Sequence, residues 1–147
     1  MLRVLVDGTV GAAKQARALA AKLPLPSARE RTVSRGRFSR LLPTPLALAL
    51  QHTPRHLDSE PQAILSLSCG RATVPENLAL RAATGAIAVH VQRPVGAEHH
   101  FDLVVAPAHD YASPPPPNVL LTSGSLHAIT PDSLQAARNE WGPALRV

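Results

Sequence analysis

The residue types that could do chemistry in this 147-residue chain fall in short polar stretches, each behind an apolar run. Cys69 is the only cysteine. It stands in Ser68-Cys69-Gly70-Arg71, between an apolar run and the start of a helical pattern, where a thiolate would be favoured. A thiolate nucleophile needs a base, and His109, followed by Asp110, is the candidate by its place in the order of elements. The flanking residues match no G-x-S-x-G elbow and no cysteine-protease signature, so the residues favour a small packed side chain. Seven histidines invite a metal. His99-His100, His109-Asp110 and His127 keep no ligand spacing, however, and no cysteine pair supports them; no metal is expected. Asp7-Gly8-Thr9-Val10-Gly11 is neither a dinucleotide G-x-G-x-x-G nor a P-loop. It reads as a tight turn that packs a helix close to its strand. The alternative is a glycine turn whose N–H groups face an anionic ligand or a partner domain. Asp102, in Phe-Asp-Leu-Val-Val, lies just inside an apolar strand and needs a partner, a cap on a neighbouring loop or helix being expected.

The elements that would position these residues are legible from periodicity. Arg3 to Val6 is a short apolar run stopped by Asp7-Gly8. From Gly11 to Leu23 the pattern turns helical, with Ala12, Ala16, Leu19, Ala20 and Leu23 on one side, and Pro24 and Pro26 end it. Arg29 to Arg40 holds five arginines against Glu30 alone. It is read as a solvated loop or fraying strand, with a patch for phosphate, lipid headgroups or an acidic partner as the alternative. Leu46 to Gln51 reads as a short helix and His52 to Pro61 as a linker, so 29–61 is a basic, proline-rich insertion. Ala63 to Leu67 is the next strand. Val74 to Thr84 follows as a helix, with Thr73 as N-cap, Glu76 at capping-box spacing and Gly85 closing it. Ala86 to Val91, Phe101 to Ala106 and Val119 to Thr122 complete five strands, the last two joined by a stiff Ser113–Pro117 connector. Thr130-Pro131-Asp132 opens a final helix with Leu134, Ala137 and Trp141 along one face. Apolar strands with helical crossovers predict an α/β fold, an open and largely parallel sheet of Rossmann type over residues 1–147. Ligands of such sheets gather at the carboxyl ends of the strands, where the polar stretches fall.

Composition sets the wider bounds. Hydrophobic content of 45% with 17% charge is that of a globular chain, and 3% aromatics requires a core of Val, Leu, Ile and Ala. All but Lys14 and Lys22 of the 15 basic residues are arginines, and the net charge is +5. Basicity of this kind invites a nucleic-acid reading, but few aromatics are available to stack bases, and none is expected. A single cysteine excludes an intrachain disulfide and fits a reducing, cytoplasmic setting. No apolar run is long enough to span a bilayer, and the start lacks the marks of a signal or transit peptide.

Taken in order, the strand-end stretches resemble the elongated mitochondria family of mitochondrial fission proteins. The matching residues are Asp7-Gly8-x-x-Gly11-x-x-x-Gln15, Ser68-Cys69-Gly70-Arg71-x-Thr73 and Val91-Gln92-x-Pro94. They continue with Phe101-Asp102-Leu103-Val104-Val105-x-Pro107-x-His109-Asp110-Tyr111 and Asn118-Val119-Leu120-Leu121-Thr122-x-Gly124-x-Leu126-His127. Lys14 stands where that family usually has Asn, and Ser125 where it has Ala. The resemblance implies the N-terminal half of a glycosyltransferase-B-like fold, without the C-terminal domain that would hold a nucleotide sugar. It implies a peripheral adaptor that recruits a dynamin-related GTPase to the cytosolic face of the mitochondrial outer membrane. For bacterial relatives it implies instead the acceptor-side half of a sugar transferase, binding a sugar or lipid acceptor and inactive until a second domain completes it. Candidate ligand- or partner-binding residues are Gly8, Gly11, Gln15, Gly70, Arg71, His109, Asp110, Gly124 and His127. No catalytic residue and no cofactor of the chain's own are expected.

Overall fold

The computed structural model describes residues 1–25, 28–33 and 63–145. The expected helix at 46–51, the linker at 52–61 and Arg35, Arg37 and Arg40 lie outside the described residues. The described strands are β1 (Leu2–Val6), β2 (Ala28–Thr32), β3 (Leu65–Cys69), β4 (Ile87–Val91), β5 (Leu103–Pro107) and β6 (Val119–Thr122). They form one sheet in the order β2-β1-β3-β4-β5-β6, and every neighbouring pair is parallel. The helices are α1 (Val10–Ala20), α2 (Val74–Thr84) and α3 (Pro131–Leu145). The Rossmann-like α/β architecture read from the periodicity is therefore the one observed.

Register explains why the central strands read as continuous apolar runs. Both faces of a parallel sheet are covered, so neither needs polar side chains facing water. On one face Val4, Leu67 and Val89 lie abreast, as do Val91 and Val105 on the next pair of strands. Ala12, Ala13 and Ala16 of α1 pack on this face with Leu2, Val6 and Cys69. The small side chains let α1 approach β1 closely. Its N-cap is Thr9, whose hydroxyl accepts a 3.4 Å hydrogen bond from the Ala12 N–H. The other face carries Val104, Ala106 and Ala88, packed with Val74, Ala97 and Phe101.

Two local expectations are revised and one is narrowed. Residues 28–32, read as the start of a solvated loop or fraying strand, form a sixth strand, every residue of it exposed. Its alternation sends Glu30 to Arg17 of α1 at 2.6 Å and Arg31 to Glu76 of α2 at 3.2 Å, one partner on each face of the sheet. The Arg17 guanidinium holds the Glu30 carboxyl below its usual range. Thr73 is not a side-chain cap: its hydroxyl donates to the Gly70 carbonyl at 2.8 Å, and Arg71–Thr73 is a 3-10 turn leading into α2. Asp102 lies just ahead of β5 rather than within it. It is paired as expected, accepting from Arg81 Nε and a terminal nitrogen at 3.0 and 2.8 Å and from the Ala88 N–H at 2.8 Å. That fork ties α2, β4 and the entry to β5 together, and Arg81 holds the Asp102 carboxyl below its usual range.

Candidate functional site

Because all six described strands run the same way, their carboxyl ends form a single rim. The polar stretches that follow β1, β3, β4 and β5 are gathered there in two groups. The first lies between β1 and β3, where the lateral order of the strands reverses and open α/β sheets place their ligands. Asp7 follows β1, and its Oδ1 accepts from the Thr9 N–H at 3.0 Å and the Thr9 hydroxyl at 2.7 Å. Gly70 follows β3 with φ +97°, and a β-carbon there would fall on the Asp7 carboxylate. The lack of a side chain at Gly70 is what makes room for the acid. Gly8, with φ +81°, turns the chain beside Asp7. Arg71 stands exposed next to Gly70.

Beneath this crevice lies a fully buried polar layer that sequence reasoning did not find. Asn77 of α2 donates to the Ser68 hydroxyl at 2.6 Å and to the Val89 carbonyl at 3.0 Å. The Ser68 oxygen is in turn 2.7 Å from His90 Nδ1. Register places Ser68 beside His90, and both project toward α2. Burial pushes the His90 imidazole down to about 3, with the Asp7 charge opposing it, so the ring is neutral at physiological pH. The phenyl ring of Phe101 packs 5.1 Å from it. The only sequence signal was a period-2 placement of Ser66, Ser68 and His90 on one face of otherwise apolar strands.

The second group joins the loops after β4 and β5 around Arg93. Its guanidinium bonds Glu98 at 3.0 Å, donates to the Asp110 carbonyl at 2.6 Å and sits 4.6 Å over the Tyr111 ring. Burial first, then the Glu98 charge, raises the Tyr111 phenol. Asn118 donates at 2.8 Å to both the Glu98 and Phe101 carbonyls and closes the same loops. Arg93 was visible only as part of a strand-ending Gln-Arg-Pro. His109 is exposed, its Nε2 3.6 Å from Asp110.

The nine sequence candidates therefore divide. Gly8, Gly70 and Arg71 meet at the β1–β3 crevice, and His109 and Asp110 belong to the Arg93 group. Gly11 lies in the first turn of α1 with open space about it, and Gln15 is half-buried on the same helix. Gly124 accepts a 2.7 Å bond from Thr122, and His127 accepts one from the Ile129 N–H at 3.3 Å, both beyond β6. These four join neither group. Cys69 is buried in the α1-side core, and its thiol is pushed up to about 12 by burial and then by the Asp7 charge. A nucleophilic thiolate is not available in that position.

An open parallel sheet with its polar loops gathered over the carboxyl rim places the protein in the Rossmann-like α/β class. Comparison of the sequence carries this further. The family model described as "Mitochondrial fission ELM1" matches residues 10–147, and the chain belongs to that family. It is similar to "Mitochondrial fission protein ELM1" of Arabidopsis thaliana, 29% identical over 101 residues. That match covers 53% of this chain and 24% of the relative, so the chain spans about a quarter of the relative's length. No solved structure matches.

Proposed function

We propose that this protein acts in mitochondrial fission as a peripheral adaptor that recruits a dynamin-related GTPase to the mitochondrial outer surface. The observation that carries the reading is the family match across residues 10–147. The chemistry of the rim supports it. Asp7 is engaged by Thr9, Arg93 by Glu98 and the Asp110 carbonyl, His90 is buried and neutral, and the Cys69 thiol is held protonated. Asp7 and Arg93 hold loops in place, and a held set of loops is what a binding surface needs. Among the described residues no helix is long and apolar enough to cross a membrane, which fits peripheral attachment.

A second reading, the acceptor-side half of a sugar transferase, draws on Arg71 and His109, which stand exposed on the same rim. It would take a sugar or lipid acceptor here and a nucleotide sugar only from a further domain. The test is a surface-binding measurement of the 147-residue chain against a purified dynamin-related GTPase, with saturation-transfer NMR against a panel of sugars beside it. Saturable binding of the GTPase is expected. Sugar contacts that vanish in His109→Ala and Arg71→Ala, with no GTPase binding, would replace the adaptor with the transferase.

A further inference from the structure

Strands β5 and β6 are parallel neighbours, so the chain must cross from the carboxyl end of one to the amino end of the other. A helix ordinarily makes such a crossover. Between Tyr111 and Asn118 there is none. The sequence is instead Ala112-Ser113-Pro114-Pro115-Pro116-Pro117, which dictates its own shape. Each proline ring fixes φ, and the residue ahead of each proline is driven out of the helical region. Residues 113–116 all precede a proline, so the run is a polyproline II helix. Such a run rises about 3.1 Å per residue and covers a strand's length in half the residues an α-helix would need.

Both ends of the run are held. Ahead of it, Tyr111 packs on the α2-side core beneath the Arg93 guanidinium. Behind it, the Asn118 amide donates to the Glu98 and Phe101 carbonyls, and its own carbonyl accepts from the Val104 N–H at 2.9 Å. The Val119 N–H closes a turn on the Pro116 carbonyl at 3.0 Å. The prolines therefore cross the α2 side of the sheet as a fixed strut.

A strut needs only stiffness, but this one also presents a surface. The period of three residues sets Pro114 and Pro117 on one ridge, about 9 Å apart. Those two rings are exposed, while Pro115 and Pro116 between them are half-buried. Prolines carry no N–H, and among the described residues nothing donates to the carbonyls of Ser113, Pro114 or Pro115. The ridge thus offers ring faces and free acceptors, and no donor. Its complement is a groove of aromatic side chains, whose rings stack on proline and whose phenol and indole groups donate to the carbonyls. A run already held in its bound shape loses little freedom on docking.

We propose that Ser113–Pro117 is a docking site for a second protein, one with a tyrosine- and tryptophan-lined groove that takes the Pro114–Pro117 ridge. This partner is distinct from the dynamin-related GTPase, so the two proposals fail separately. Calorimetric titration of the 147-residue chain with a panel of purified SH3 and WW domains, both of which carry such grooves, tests it. Saturable one-to-one binding to a domain of the panel is expected, with backbone amide shifts in NMR centred on Ala112, Ser113 and Asn118. Pro114→Ala and Pro117→Ala should each weaken binding by about tenfold, and Pro115→Ala, on another ridge, by less than about threefold. Unchanged urea midpoints would show that the fold survives these changes. Free poly-L-proline should displace the unaltered chain from the domain, a readout that needs no variant. Failure of every domain to bind overturns the proposal. So does binding that survives both substitutions, or that poly-L-proline does not displace. An equal loss in Pro115→Ala, which means that the run is taken as a loose peptide rather than by its ridge, overturns it as well.

Discussion

Replacing Gly70 by Ala strikes the one place where backbone conformation and side-chain packing are fixed together. At φ +97° and ψ 145° the residue occupies a region open in practice only to glycine. Holding a residue with a β-carbon in such a region costs about 1–3 kcal/mol. The new methyl would also displace the Asp7 carboxylate, which lies where the β-carbon must go. Asp7 would then surrender its two bonds to Thr9, the N-cap of α1, and loss of a cap of that kind costs about 1 kcal/mol. Together Gly70→Ala should lose about 2–4 kcal/mol, a large share of a typical domain's 5–15 kcal/mol. Urea unfolding followed by far-UV circular dichroism reads this directly. The two parts separate in a double-mutant cycle with Asp7→Ala, where the collision is gone and only the backbone cost remains. A coupling of about 1 kcal/mol is expected, since the residues share one volume. If Gly70→Ala unfolds at the parent's urea midpoint, or if the double variant loses the full sum of the singles, the account of Gly70 as the space reserved for Asp7 is wrong.

Other outcomes follow from the same coordinates. The folded chain holds His90 neutral down to about pH 3, whereas the unfolded chain protonates it near 6.5. Its contribution to stability is therefore complete above 6.5 and declines as pH falls toward 3; His90→Leu should flatten that limb in a series of urea midpoints. Asp102 is held below its usual carboxylate range by Arg81, so its contribution is present above that range and is lost on further acidification. Asp102→Asn should remove this acid limb and cost about 1 kcal/mol at neutral pH, the scale of a half-exposed ion pair with added hydrogen bonds. The Cys69 thiol should resist a thiol reagent in the native protein and react at the rate of global unfolding as urea is raised, a labelling time course being the measurement. Asn77→Ala should destabilise by about 1–3 kcal/mol in urea unfolding, because Ser68 and the Val89 carbonyl lose a buried donor.

How much of this was legible in the sequence depended on where each side chain spends its free energy. Strands β1, β3, β4 and β5 announced themselves because both of their faces are buried, and apolar runs are what such strands require. Strand β2 gave no such signal. Ala-Arg-Glu-Arg-Thr at an edge keeps its side chains in water, and its alternation is one of charge sign, with Arg17 and Glu76 as the distant partners. Thr73 misled for a related reason: capping-box spacing says nothing of a 3-10 turn that offers the Gly70 carbonyl as a nearer acceptor. The rim was legible as a set of positions, since any polar break after a parallel strand falls there. Its hubs were not. Asp7 and Arg93 act through residues far away in the chain, Gly70 for the one and Asp110 and Tyr111 for the other, and no local spacing encodes those pairs.

The polar layer under α2 bears on how the sheet finds its alignment. Parallel strands of Val, Leu and Ala with both faces covered have little to tell one alignment from another displaced by two residues, which preserves every inside and outside position. Ser68 and His90 break that degeneracy. Sliding β4 by two residues along β3 would set Ala88 or Gln92 beside Ser68 and leave the imidazole among aliphatic neighbours without its hydroxyl. Asn77 adds a third check from the helix, since its amide meets both the Ser68 hydroxyl and the Val89 carbonyl only in the observed alignment. A misaligned sheet would bury polar groups without partners, at a cost of about 1–3 kcal/mol each. Three small polar side chains thus act as a key for strand assembly in a core that is otherwise permissive.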